Sequence, residues 1–319
     1  MVLTQALPQS AREYAVAQRR ESQAAVAAVL RLWRRMGADF DESFARVLPS
    51  LLTVVTTAQG RVAEGAQSYV PDVLEETGQS RAAGAFATVR VDGLLGVAGD
   101  GRPVDSLLFG GVTHAKERVA AGATAQQALV AGGQWLSTAV GTLLSDTGRQ
   151  AESLAIGVRP VGGYVRMLNP PSCSRCVILA GRWYSKSSGF QRHPGCDCRH
   201  IPASESVAGE LTVSPVDYFD SLSVEQQDAT FTKAGADAIR NGADMNQVVN
   251  ARRGMRQAQV GGRQILITTE GTTKRGAAAR ALRTETGGRR PRLMPESIAQ
   301  IATSRDDYLR LLRANGYLT

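Results

Sequence analysis

Apolar residues recur at three- and four-residue intervals through most of the first 156 positions, a spacing that predicts helices. Residues 10–37 read as one amphipathic helix. Tyr14, Ala17, Ala24, Ala25, Ala28, Val29, Leu32 and Trp33 fall broadly on one face, with Arg19, Arg20, Arg31, Arg34 and Arg35 mostly off it. Ser10 is the expected N-cap and Gly37 the stop. Asp39 or Asp41 is placed to cap a second helix through Phe44 and Leu48. Pro49 is expected to start or kink the next one, and Pro71 to break it. Between them Leu51, Leu52, Val54, Val55, Ala58, Val62, Ala66, Tyr69 and Val70 continue the stripe. A stretch richer in glycine and valine follows at residues 80–100. Residues 105–121 are helical again, Thr124 caps a helix through Leu143 and Leu144, and residues 146–156 close the region.

The pattern changes near residue 157. Residues 161–168 alternate loosely, as a strand does. Asn169-Pro-Pro171 forces a turn, because proline restricts its own φ and the residue before it. Residues 173–180 fit a short helical turn, 182–184 read as a strand, and 199–202 as an extended exit. From 214 onward short helices return. Ser223 with Gln226 three residues on matches a capping box, and Asn241-Gly242 is a left-handed stop. Asp244 or Asn246 opens another helix, Pro295 fits a first turn, and Ser304 caps the last helix. One strand is expected at 264–268.

All four cysteines of the 319-residue chain lie within 26 consecutive positions. Cys173 and Cys176 form a C-x-x-C pair and Cys196 and Cys198 a C-x-C pair, with His193 three residues before Cys196. Two such pairs brought together by a hairpin can close a tetrahedral site, and thiolate with imidazole suits Zn²⁺. Because C-x-C strains chelation of one metal, His193 is an alternative to Cys196 or Cys198 as fourth ligand, and His200 a weaker one. Disulfides and free packed thiols are the other two readings. Four closed ligands would make the site structural. The predicted fold class is therefore mainly α with a small α+β cysteine-rich domain. A helical domain spans residues 1–156, a zinc-knuckle-like hairpin unit 157–213, and a helical, basic C-terminal region 214–319.

The ordered motif, C-x-x-C, then Gly-Arg-Trp-Tyr from Gly181, then His-Pro-x-Cys-x-Cys, resembles the MuF-type domain of minor head proteins of tailed phages. Cys173, Cys176, Gly181, His193, Pro194, Cys196 and Cys198 carry the likeness, and residues 214–254 resemble the continuation in such proteins of actinobacterial phages. The likeness covers roughly residues 160–319. It implies a minor capsid protein of few copies, in the capsid interior or at the portal vertex of the virion, acting in head morphogenesis and DNA packaging or delivery. The portal protein, the major capsid protein or a scaffold, and phage DNA are the implied partners. The family brings no agreed catalytic set, so no catalytic residue is assigned.

Charge agrees with a polyanionic partner. The formal net charge is +8, and residues 251–292 carry eleven lysines and arginines against Glu270 and Glu285 alone. Arg252, Arg253, Arg256, Lys274, Arg275, Arg289, Arg290 and Arg292 are the candidate DNA contacts. No run of some 18 apolar residues predicts a membrane span, and the amino terminus lacks the charged-then-apolar order of a leader. The expectation is assembly in the host cytoplasm, where thiols stay reduced. The class excluded most firmly is the zinc deaminase, whose H-x-E and P-C-x-x-C order is absent. A capsid maturation protease or zinc-dependent nuclease is the alternative. No Ser/His pair presents itself, however, and only Asp197 lies near the cysteines.

Overall fold

The structure is a computed structural model describing residues 7–168, 170–189, 193, 196, 198–211, 213–260, 262–273, 279–280 and 291–318. The chain forms two compact units. One comprises residues 1–170 and 180–213, the other 171–179 and 214–319.

The first unit is built on four long helices: α1 (Gln9–Trp33), α2 (Phe40–Glu76), α3 (Val104–Ala120) and α4 (Ala125–Gly157). The expected breaks at Pro49 and Pro71 do not occur, and α2 runs through both. A proline inside a helix strands the carbonyl four residues earlier. Here those carbonyls belong to Ala45 and Gln67, both exposed, so water can satisfy them. The opposite face holds the helix in place. Phe44, Val47, Leu51, Val55, Ala58 and Val62 recur at helical spacing and are all buried. Burial of each of these side chains other than that of Ala58 is worth about 1.5–3 kcal/mol. Residues 146–156 likewise belong to α4, which opens on Thr124, the expected cap, in a capping box with Gln127.

Ser10 does not cap α1. Pro8 occupies that position, and the Glu76 carboxylate accepts from the Ser10 backbone N–H and hydroxyl at 2.9 and 2.6 Å. Small residues let α1, α3 and α4 close on one another. A Cβ at Gly132 would sit 2.7 Å from the Gly111 carbonyl oxygen and 2.8 Å from the Trp33 ring. The Trp33 indole N–H donates to the Leu129 carbonyl at 2.8 Å.

A three-stranded antiparallel sheet completes this unit: β1 (Gly163–Met167) lies between β2 (Trp183–Ser185) and β3 (Arg199–Ala203). Tyr164 is level with Tyr184 and Pro202, and Arg166 with His200. Every residue of β1 and β3 is buried, which is why the sheet does not stand apart. The Tyr69 hydroxyl of α2 donates to the His200 carbonyl at 2.6 Å, and the His200 N–H donates to Glu152 of α4 at 3.0 Å.

The second unit contains α5 (Ser174–Val177), α7 (Pro215–Ser221), α8 (Val224–Phe231), α9 (Lys233–Arg240) and α10 (Met245–Ala251). α6 (Glu205–Ala208) belongs to the first. The Ser223–Gln226 capping box and the Asp244 cap form as expected. The C-terminal region is less purely helical than expected. β4 (Met255–Val260), β5 (Arg263–Thr268) and β6 (Arg292–Leu293) make a second antiparallel sheet before α11 (Pro295–Ile301) and α12 (Arg305–Ala314). Ala238, Val248, Ala251, Met294, Ile298, Leu312 and Tyr317 form the core of this unit.

Candidate metal centre

The cysteine pairs are positioned by different elements. Cys173 precedes α5 and Cys176 lies in its single turn, because the Cys173 carbonyl accepts the N–H groups of Cys176 and Val177 at 3.0 and 3.1 Å. That turn brings the two sulfurs to 3.6 Å. The Cys196 N–H donates to the His193 carbonyl at 3.0 Å, and Cys198 leads directly into β3.

The second pair is held from inside the first unit. Arg149 of α4 donates to the carbonyls of Cys196 and Cys198 at 2.8 and 3.2 Å, with its other nitrogen on the Asp146 carboxylate. Arg166, wholly buried on β1, places Nη2 3.7 Å from the sulfur of Cys196 and 3.7 Å from that of Cys198. A buried guanidinium facing two sulfurs favours the anionic thiolate, the form that binds metal.

The ligand atoms fall into two overlapping groups. Those of Cys173, Cys176 and His193 lie within 4.8 Å of one another, as do those of Cys176, Cys196 and Cys198. No disulfide joins any two of the four cysteines. In a tetrahedral thiolate site with metal–sulfur bonds of about 2.3 Å, sulfurs stand roughly 3.8 Å apart. The 3.6 Å between Cys173 and Cys176 is close to that. The residues present therefore fit a metal ion. The geometry brings all five expected ligands into the two groups. His200 belongs to neither, since its Nδ1 lies 3.0 Å from Glu152 Oε2.

The first unit also holds a polar core that sequence reasoning missed. Glu152 is fully buried, with Oε1 3.6 Å from Arg199 Nη1. Burial pushes its pKa upward, but the His200 hydrogen bond and the charges of His200 and Arg199 prevail and hold it below the ordinary value. Tyr14 and Tyr69 stack with ring centroids 4.0 Å apart. Burial, and then the Glu152 charge, raise both phenols well above their usual range. Gly148 leaves room for Arg199: a Cβ there would lie 2.6 Å from its Nη1. The one available signal was an arginine inside the otherwise apolar strand around Val165 and Met167.

The candidate DNA contacts separate into three groups. Arg253 and Arg256 are exposed. Arg252 is committed to an ion pair with Glu296 and to the Thr232 hydroxyl. Arg292 is overturned as a DNA contact. It is entirely buried, donates to Gln247 Oε1 at 3.1 Å, and stacks 4.5 Å from the Tyr317 ring centroid. Core packing of the second unit captured it, because its aliphatic stem and flat head fill the space under Tyr317. Lys274, Arg275, Arg289 and Arg290, like Pro194 and Asp197, lie outside the described residues. Among those described, no helix is long and apolar enough to cross a membrane. No family model, curated protein or solved structure matches the chain.

Proposed function

We propose that the chain is a structural minor head protein of a tailed phage, stationed in the capsid interior or at the portal vertex of the virion after assembly in the host cytoplasm. In this reading it contacts the portal protein, the major capsid protein or scaffold, and phage DNA, and works in head assembly and genome packaging or delivery without being an enzyme. The ion is zinc, held by Cys173, Cys176, Cys196 and Cys198, with His193 as the alternative fourth ligand. A closed set of protein ligands turns metal-binding free energy into folding free energy and leaves no coordination position for substrate.

The observation that carries the reading is the convergence of the C-x-x-C pair with the His-x-x-Cys-x-Cys segment. Those are the residues on which the resemblance to MuF-type proteins rests, and their ligand atoms fall into two groups that share Cys176, each with its atoms within 4.8 Å of one another. The excess of basic residues supports the DNA partner. The test is a phage carrying Cys173→Ser and Cys176→Ser. Head assembly or filling should fail while the major capsid protein is processed normally, and mass spectrometry of wild-type particles should find the chain. Unprocessed capsid protein would assign proteolysis instead. Normal filled heads lacking the chain would reject the reading altogether.

A further inference from the structure

The second unit presents a basic ribbon that the sequence alone did not reveal. β4 and β5 pair in full register from Met255–Thr268 to Val260–Arg263. β6 pairs only with Ile267 and Thr268, so the hairpin beyond them is two-stranded. Among the described residues, Leu266 is the one nearest the hairpin tip that is hydrogen-bonded to the body, through Ser297 and the Met294 N–H.

Side chains alternate along a strand, and cross-strand partners share a face. Gln257, Gln259 and Gln264 therefore lie on one face, Gln257 opposite Leu266 and Gln259 opposite Gln264. Arg256 and Arg263 lie on the other face, one per strand, Arg256 opposite Ile267. Arg253 stands just before β4. All six polar side chains are exposed. Among the described residues none of the three arginines has an acidic partner, and residues 253–264 contain no carboxylate. Compare Arg252 and Arg292 nearby, both committed to internal partners.

We propose that this hairpin binds duplex DNA by entering the major groove. A B-form major groove is about 12 Å wide and admits a two-stranded ribbon. The glutamine face meets the groove floor, where a glutamine amide can pair with the N6 and N7 edge of adenine. The arginines on separate strands reach the two phosphate backbones that wall the groove. A deep, narrow A-form groove would refuse the same ribbon. The inference deepens the DNA contact within the proposed function and rests on it.

The experiment measures binding of the full chain to a labelled duplex by fluorescence anisotropy across a salt series. Replacing Arg253, Arg256 and Arg263 together by alanine should flatten the slope of log affinity against log salt by about 2.7, at roughly 0.9 per lost phosphate contact. Duplex RNA should compete poorly with the wild type. Replacing Gln257, Gln259 and Gln264 by alanine should leave the slope intact and abolish any preference between A·T-rich and G·C-rich duplexes. An unchanged slope in the arginine variant, or equal competition by duplex RNA, overturns groove entry and leaves the head-protein reading standing. A wild type that binds no duplex at low salt overturns it too, and removes DNA from the partners as well.

Discussion

Replacing Glu152 by glutamine tests what holds the first unit together. The substitution keeps the size of the side chain and an oxygen for the His200 N–H, but removes the charge facing Arg199. That guanidinium is 3% exposed and lies 3.6 Å from Glu152. At that separation and an effective dielectric of about 20, the lost attraction is about 4–5 kcal/mol. Glutamine recovers part of this, so a loss of about 3 kcal/mol or more is expected, in line with breaking a buried ion pair. All three tryptophans, Trp33, Trp135 and Trp183, lie in the first unit, so their fluorescence in urea reports that unit alone. With a denaturant slope near 3 kcal/mol per molar, the midpoint should fall by about 1 M. Removing both partners, as Glu152→Leu with Arg199→Leu, should recover much of the loss, since no lone buried charge remains. A midpoint shift below about 0.2 M, or a double variant no better than the single, would refute a charge-held core.

Gly148→Ala should destabilise the same unit by about 1–3 kcal/mol in the same assay, because the new methyl overlaps Arg199. Gly141→Ala, also in α4 but with nothing within 4 Å of the added carbon, should be neutral or slightly stabilising. Arg166→Met should lower metal affinity about 10–100-fold in competition with a chelator, together with faster labelling of the thiols. Acidification should erase the advantage of the wild type over Glu152→Gln. The Glu152 pKa is lowered by folding, so its contribution is complete above its ordinary value of 4.5 and is lost as the pH falls through the depressed folded value. Urea midpoints of both proteins across that window check the sign.

The helices were legible wherever a cap and an apolar stripe agreed. Thr124, Asp39, Ser223, Asp244 and Ser304 all cap as their local chemistry demands. Prolines misled, since the cost of Pro49 or Pro71 depends on whether the stranded carbonyl meets water, which depends on packing. Cys173, Cys176, His193, Cys196 and Cys198 were legible because ligand spacing is local. Arg149, Glu152 and Arg166 were not, since their value comes from residues dozens of positions away. The fate of Arg292 shows the same limit in reverse, for a basic run does not reveal which arginine will be taken into a core. The β4–β5 hairpin was half visible, as only its second strand has an apolar run.

The carboxylate that closes the start of α1 comes from Glu76, at the far end of α2. This sets an order during synthesis. The first turn of α1 leaves the ribosome long before its capping group exists, and Tyr14 emerges before the Tyr69 ring on which it stacks. The amino-terminal helix is thus completed only when α2 has been made to its last turn, and a nascent chain halted before residue 76 carries an unfinished end.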